Sequence, residues 1–109
     1  MSGQDTLNNL ESMHCRHRTQ ALPEEALDGY LQQCPGWQIR QGQLLKQFEF
    51  SSYPETLAFA NAAAWIAHRE DHHPDIHIGY RQCTLAFATH SADGLTENDF
   101  ICAAKINGL

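Results

Sequence analysis

The sequence "WQIRQGQLLKQFEFSSYPETLAFANAAAWIAHRED", residues 37–71, places a β-hairpin directly before a long helix. Two extended runs flank Gln41 and Gly42, and glycine tolerates the positive φ that a tight hairpin turn requires. In the second run, alternate residues separate into a mainly apolar set and a more polar set: Leu44, Phe48 and Phe50 against Leu45, Gln47 and Glu49. We therefore expect another element to cover one face of the hairpin.

The second half of this stretch predicts the covering helix. Ser52 stands in the N-cap position with Glu55 three residues later, which is a capping-box pattern, and alanine-rich helix formers follow. Apolar residues at helical spacing predict its buried stripe: Leu57, Ala60, Ala64 and Ala67, widened by Phe59, Ala63 and Ile66. We expect this helix over residues 54–71, with Trp65 in the core, because Pro74 disfavours helical geometry in the residue before it.

Further elements are predicted on both sides of this stretch. The segment "PEEALDGYLQQC", residues 23–34, predicts a first helix, and Pro35 and Gly36 end it. The alternating segments "DIHIGY" and "RQCTLAFATH", residues 75–90, predict a second pair of strands whose inward residues include Cys83, Leu85 and Phe87.

A closing helix completes the pattern. Thr96 and Asp99 stand in N-cap and N3 positions for a helix that runs to about residue 106. The order α-β-β-α-β-β-α predicts an α+β fold, with a four-stranded antiparallel sheet and helices packed on one face.

The chain is long enough for one domain. Residues 1–21 lack hydrophobic periodicity and are interpreted as a flexible N-terminal leader, and residues 22–109 as a single domain. The leader carries His14, Cys15 and His17, a set that could chelate a metal ion, although soft ligands on a mobile tail usually bind nothing.

Composition excludes several function classes. The formal net charge is -6 and the 7 Lys and Arg residues are spread thinly, so we expect no nucleic-acid contact. There is no apolar run long enough to cross a membrane and no apolar stretch typical of a secretory signal, so we expect no membrane contact and a cytoplasmic location. The 4 cysteines lack C-x-x-C spacing and are expected to be reduced, mostly buried thiols.

The segment "HREDHHPDIHIGY", residues 68–80, concentrates four of the 7 histidines of the chain. Imidazole can donate or accept a proton near neutral pH, and it is also the commonest ligand of transition metals. If the helix reached His72, then His68 and His72 would share a helical face. His73, just outside the helix, would point into the same cleft, and His90 could supply a third ring. Spacing alone leaves acid-base chemistry, a metal site and an exposed helix end without a role all open.

A family resemblance favours the first interpretation. His72-His73-Pro74, Tyr80, His90 within "THSADGLTENDF" and Asp99 fall at the spacings of the pterin-4a-carbinolamine dehydratase signature, and residues 22–106 as a whole resemble that fold more loosely. The resemblance implies a hydro-lyase that converts 4a-hydroxytetrahydropterin to quinonoid dihydropterin without a metal or redox cofactor, in support of tetrahydropterin recycling.

The resemblance also implies roles for particular residues. His72 and His90 are the candidate general acid and base, and His73 is expected to orient the pterin while assisting proton transfer. Asp99 is expected to fix a histidine tautomer or the local backbone. His68 occupies a position where well-known members have glutamate, and Trp37 is a candidate wall of the pterin pocket. Tyr80 is expected to pack in the core.

The expected partners and the alternative functions rest partly on this resemblance and partly on the residues themselves. We expect a small pterin substrate, an aromatic amino acid hydroxylase as metabolic partner, and a homodimer or homotetramer, because exposed sheet edges in small domains are often covered by self-association. The alternatives are a metal-binding module through residues 68–77, or an interaction module resembling the family members that serve as dimerisation cofactors of a transcription factor.

Overall fold

The computed structural model describes residues 9–109, and the predicted element order is confirmed. We label the helices and strands in chain order: α1 Leu27–Gln32, β1 Gln38–Arg40, β2 Gln43–Glu49, α2 Tyr53–Glu70, β3 Asp75–Ile78, β4 Gln82–Phe87 and α3 Glu97–Asn107. Short 3-10 helices cover Leu10–Ser12, Glu24–Ala26 and His90–Ala92. The first predicted helix is therefore shorter than expected, because its acidic start is a 3-10 turn.

The four strands form one antiparallel sheet in the order β1-β2-β4-β3. The predicted turn between β1 and β2 is confirmed, with φ values of 52° at Gln41 and 78° at Gly42. Two successive positive φ angles are typical of the hairpin turn that matches the natural twist of the strands. Leu44 of β2 pairs with Phe87 of β4, so the turn lies close to the end of β4.

One face of the sheet is buried under the helices. Its inward-facing residues Leu44, Cys83, Leu85 and Phe87 are fully buried. The core continues into α3, where Phe100, Ile101, Cys102 and Ala103 have no exposed surface. The predicted α+β architecture with helices on one face is thus confirmed, and α3 is its most deeply buried helix.

Capping hydrogen bonds define both ends of helix α2. The Ser52 hydroxyl accepts a hydrogen bond from the Glu55 backbone N–H at 3.3 Å, as the capping-box pattern predicts. The helix ends at Glu70, because Asp71 is left-handed with φ 52°. The N–H of His72 then returns to the carbonyl of Ala67 at 3.1 Å, the bond that closes a Schellman motif. His72 therefore leaves the helix in a fixed direction.

Two expected core aromatics are on the surface instead. Trp65 of α2 is 58% exposed, and Tyr80, in the bend between β3 and β4, is 68% exposed. The two predictions were wrong for different reasons. Periodicity identifies an apolar face but not its width, and α2 buries Thr56, Ala60, Ala63, Ile66 and Ala67, which leaves Trp65 outside the buried stripe. Tyr80 lies in a bend rather than in a strand, so the alternation that predicts an inward side chain does not apply to it.

The segment before α1 packs against α3. Leu10 is 1% exposed, and the backbone N–H of Leu22 donates to the carbonyl of Leu95 at 2.8 Å. The backbone N–H of Arg16 donates to Oδ1 of Asn98 at 3.0 Å. Residues 9–21 thus make packing contacts that a loose leader would lack, whereas residues 1–8 of the predicted leader lie outside the described residues. The division of the chain at residue 21 stays a prediction.

None of the helices in the described part of the chain is both long and apolar enough to cross a membrane. All four cysteines are free thiols, of which Cys34, Cys83 and Cys102 are buried and Cys15 is partly buried.

Candidate active site

A histidine and a buried carboxylate meet where α2 ends and α3 begins. Nε2 of His72 lies 2.6 Å from Oδ1 of Asp99. The Asp99 side chain has 0% exposure and that of His72 has 13%. The αL residue at the end of α2 directs His72 toward the first turn of α3, so two helix-capping motifs create this pair.

The Asp99 carboxylate is held by three donors. Oδ1 accepts from His72, while Oδ2 accepts from the Thr96 backbone N–H and from the Thr89 hydroxyl, each at 2.8 Å. The Thr96 and Thr89 hydroxyls also lie 2.9 Å apart. The predicted N-cap and N3 positions of Thr96 and Asp99 are confirmed as a capping box. These contacts hold the carboxylate in the orientation that faces His72.

The His72 ring is oriented by contacts on two sides. It stacks on Phe87, with ring centroids 5.7 Å apart and an interplanar angle of 7°. An ionised carboxylate only accepts hydrogen bonds, so its contact with Nε2 selects the tautomer that carries its proton on Nε2. Nδ1 then remains as the nitrogen that can accept a proton from another molecule.

The other two candidate catalytic histidines are exposed. His73 follows His72 directly, and His90 opens the 3-10 turn after β4. Thr89, the residue before His90, is the one whose hydroxyl bonds to Asp99. His90 and Thr89 line a shallow hollow of about 340 Å3 beside the turn of the β1–β2 hairpin.

His90 is thus linked to the His72–Asp99 pair through its neighbour Thr89, but the lining of the hollow does not include His72 or His73. The meeting of three imidazole rings around one substrate stays a prediction.

His68 and Trp37 do not join this site. Because α2 ends before His72, the expected common helical face of His68 and His72 does not exist. His68 is exposed and meets Trp65 edge-on, with centroids 5.6 Å apart. Trp37 is 5% exposed, and its Nε1 donates to Oδ1 of Asn107 at the far end of α3. Trp37 is thus a core residue, and its role as a wall of the pterin pocket stays a prediction.

Sequence reasoning missed Thr89 and Phe87 as parts of the site. A signal for both was present, because Thr89 has the same alternation along the chain as Leu85 and Phe87, which face the core. A hydroxyl that continues this inward-facing alternation just beyond the end of β4 needs a partner, and the buried carboxylate of Asp99 is one. Among residues 9–109, no three His, Cys, Asp or Glu side chains are grouped so as to hold a metal ion.

The family comparison identifies the chain. The model of the family described as "Pterin 4 alpha carbinolamine dehydratase" matches residues 20–109. The chain belongs to this family. A protein of Nitrosospira multiformis, described as a candidate pterin-4-alpha-carbinolamine dehydratase, is 45% identical over 107 residues, which cover 95% of each chain. A protein of Stenotrophomonas maltophilia with the same description is 51% identical over 90 residues, 81% of this chain and 78% of its own.

Solved structures of dehydratase-like proteins have the same fold. A crystal structure described as a transcriptional coactivator/pterin dehydratase from Brucella melitensis superposes with a TM-score of 0.77 at 31% identity, over 82% of this chain and 97% of that one. A pterin dehydratase-like protein described as a RuBisCO assembly factor in the alpha-carboxysome superposes with a TM-score of 0.56 at 23% identity, over 87% and 94% of the two chains. The second likeness concerns the fold alone.

Proposed function

We propose that this member of the family dehydrates 4a-hydroxytetrahydropterin to quinonoid dihydropterin, with His72 as a catalytic acid-base group. The observation that carries the proposal is the His72–Asp99 pair, with its 2.6 Å contact and a carboxylate that is fully buried. Asp99 caps α3 through one carboxylate oxygen, and its other oxygen is directed at the His72 ring and orients it. Paired and oriented imidazoles are typical of proton-transfer sites.

The reaction requires two proton movements. The hydroxyl at C4a leaves as water after it receives a proton, and N5 loses its proton as the C=N bond forms, so the reaction consumes no electrons and no second substrate. We assign these transfers to His72 and His90. His73 binds and orients the pterin and assists in proton transfer.

Asp99 acts as a positioning residue in this proposal. It keeps the proton of the neutral His72 ring on Nε2, so that Nδ1 receives or returns the proton of the substrate. The Thr89 and Thr96 contacts keep the carboxylate in place during that cycle. His68 and Trp37 have no part in the proposed mechanism, because His68 lies on the exposed surface of α2 and Trp37 lies in the core.

The setting of the reaction is also a proposal. We expect the substrate to come from an aromatic amino acid hydroxylase and the product to enter tetrahydropterin recycling. The four free thiols suit a reducing compartment, which supports the cytoplasm. Strands β1 and β3 are the two edges of the sheet, and pairing of an edge with a second copy would support a homodimer or homotetramer.

The test is a dehydration assay in which a hydroxylase generates the carbinolamine in situ. We expect wild type to accelerate its decay in the presence of a chelator, His90→Ala to lose most of that acceleration, and His73→Ala to raise KM more than it lowers kcat. His77→Ala is the matched control, because His77 is exposed on β3 and pairs with Thr84 on the outer face of the sheet. If wild type does not accelerate the decay, the proposed activity is wrong.

A protein-interaction role is the second candidate function. It is supported by the description of the Brucella melitensis relative as a coactivator as well as a dehydratase. The exposed Trp65 is a side chain that such a contact could use. If Trp65→Ala abolished binding of a partner and His72→Ala did not, the two roles would occupy separate surfaces.

A further inference from the structure

Two cysteine thiols that are distant in the sequence are in contact below the candidate site. Sγ of Cys15 lies 3.6 Å from Sγ of Cys102. Cys102 is in α3 with 0% exposure, whereas Cys15 is partly buried in the segment before α1. Neither thiol has a part in the proposed dehydration.

The contact is supported by a set of specific hydrogen bonds. Glu70, the last residue of α2, accepts from the Cys15 backbone N–H at 2.7 Å and from Nδ1 of His14 at 2.9 Å. On the other side, the side-chain amide of Asn98 donates to the carbonyl of Arg16 at 2.7 Å. Bonds on both sides of Cys15 therefore hold its thiol against that of Cys102.

We propose that Cys15 and Cys102 are a redox modification site, which a small disulfide such as oxidised glutathione converts to an intramolecular disulfide. Cys15 attacks the oxidant and forms a mixed disulfide, which releases one reduced thiol. Cys102 then attacks Sγ of Cys15, and the second reduced thiol leaves. Two protein thiols are oxidised, one small disulfide is reduced, and residues 9–21 become covalently attached to α3.

The geometry favours this pair and this order of attack. A disulfide bond is about 2.05 Å long, so the sulfur atoms must approach by roughly 1.5 Å. Cys15 can make that movement because it lies outside regular secondary structure, whereas Cys102 is fixed in a helix. The hydrogen bond to Cys15 and burial raise the pKa of the Cys102 thiol, as do the charges of Glu70 and Asp99. Cys102 is therefore a poor first nucleophile, and it reacts with the sulfur beside it.

The other two cysteines have different surroundings. Cys34 is buried and its Sγ donates to the carbonyl of Phe100 at 3.5 Å. Burial raises the pKa of Cys34 to about 12. Cys83 lies in β4 on the sheet face that the helices cover, and burial raises its pKa as well. Neither thiol is available to a dissolved oxidant, and each supplies a control position.

The experiment incubates the folded full chain in buffers with increasing ratios of oxidised to reduced glutathione, followed by acid quenching, thiol counting and peptide mapping by mass spectrometry. We expect wild type and Cys83→Ala to lose two thiols within one chain, with residues 15 and 102 joined. Oxidised wild type should also have a higher Tm than the reduced protein, because the cross-link closes a long loop. Cys15→Ser should keep Cys102 reduced at every ratio.

Two results would overturn the proposal. One is a stable glutathione adduct on Cys15 with Cys102 still reduced, and the other is wild type with four free thiols at oxidising ratios where an exposed control dithiol is fully oxidised. Cys15 is only partly buried, so Cys15→Ser keeps the test valid even if Cys102→Ser does not fold.

Discussion

Oδ1 of Asp99 lies 2.6 Å from Nε2 of His72, although 27 positions separate the two residues in the chain. The pair forms because an αL residue ends α2 just before His72, and because a capping box fixes Asp99 in the first turn of α3. Two motifs that stabilise helix ends thus also orient an imidazole.

Asp99→Asn should abolish most of the activity while the fold persists. The asparagine oxygen can still accept from the Thr96 backbone, but its NH2 group then faces His72 and forces Nε2 to become an acceptor. The ring changes tautomer, and kcat should fall at least about 100-fold. Steady-state dehydration assays measure this loss.

Glu97→Gln is the matched control for that variant. Glu97 lies in the same helical turn, but its carboxylate bonds to Tyr30 and Arg16. An equal loss of kcat in both variants would mean that the charge of α3, rather than the contact with His72, controls the rate.

Thr89→Val should lower kcat/KM, because it removes one of the hydrogen bonds that hold the Asp99 carboxylate. The change keeps the shape of the side chain and removes the 2.8 Å hydrogen bond to Oδ2. A hydrogen bond to a charged group is worth about 1.5–3 kcal/mol, so we expect kcat/KM to fall roughly 10-fold or more. Thr89→Ser should restore most of it, and Thr84→Val on the outer sheet face should change nothing. Unchanged kcat/KM in Thr89→Val would remove Thr89 from the site.

Two glycine substitutions should have opposite effects on stability. An added Cβ meets nothing within 4 Å at either Gly42 or Gly29, but Gly42 has φ 78° and Gly29 lies within α1. Gly42→Ala should lower the free energy of unfolding by about 1 kcal/mol, because L-residues are strained at positive φ. Gly29→Ala should raise it by up to about 1 kcal/mol. Urea denaturation measures both, and a stabilised Gly42→Ala would contradict the turn assignment.

Glu70 should make the stability of the protein sensitive to acid. Burial acts to raise its pKa, but the hydrogen bonds from Cys15 and His14 and the charge of Lys105 outweigh it, so the pKa of Glu70 is lowered. A lowered folded-state pKa contributes stability above the unfolded value, and this contribution is lost as the pH falls through the folded value.

The free energy of unfolding should therefore decrease more steeply with falling pH below about 4.5 in wild type than in Glu70→Gln. Glu49→Gln, an exposed change on β2, is the control. Parallel pH profiles for wild type and Glu70→Gln would show that the contacts of Glu70 add no acid-dependent stability.

Much of the fold follows from short-range patterns in the sequence. Gln41 and Gly42 determine the hairpin, Ser52 determines the start of α2, and Thr96 with Asp99 determines the start of α3, because each feature depends on residues only a few positions apart. The family signature picked out His72 and Asp99 as candidate site residues. The capping pattern predicted the start of α3, which positions Asp99 next to His72.

What the sequence could not supply depends on tertiary packing. Trp65 and Tyr80 were expected in the core, but whether a neighbouring element covers an aromatic ring is not encoded in periodicity. The helix was expected to continue one residue further, and the αL conformation of Asp71 turns His72 away from the face that His68 occupies. The Cys15–Cys102 contact joins segments 87 residues apart and has no local signature.

The most direct test of the account is the rate at which freshly generated 4a-hydroxytetrahydropterin loses water with wild type, with His72→Ala and with no protein. We predict a large acceleration by wild type and a rate close to the spontaneous one for a folded His72→Ala variant. A His72→Ala variant as active as wild type would contradict the assignment of His72 as the catalytic acid-base group.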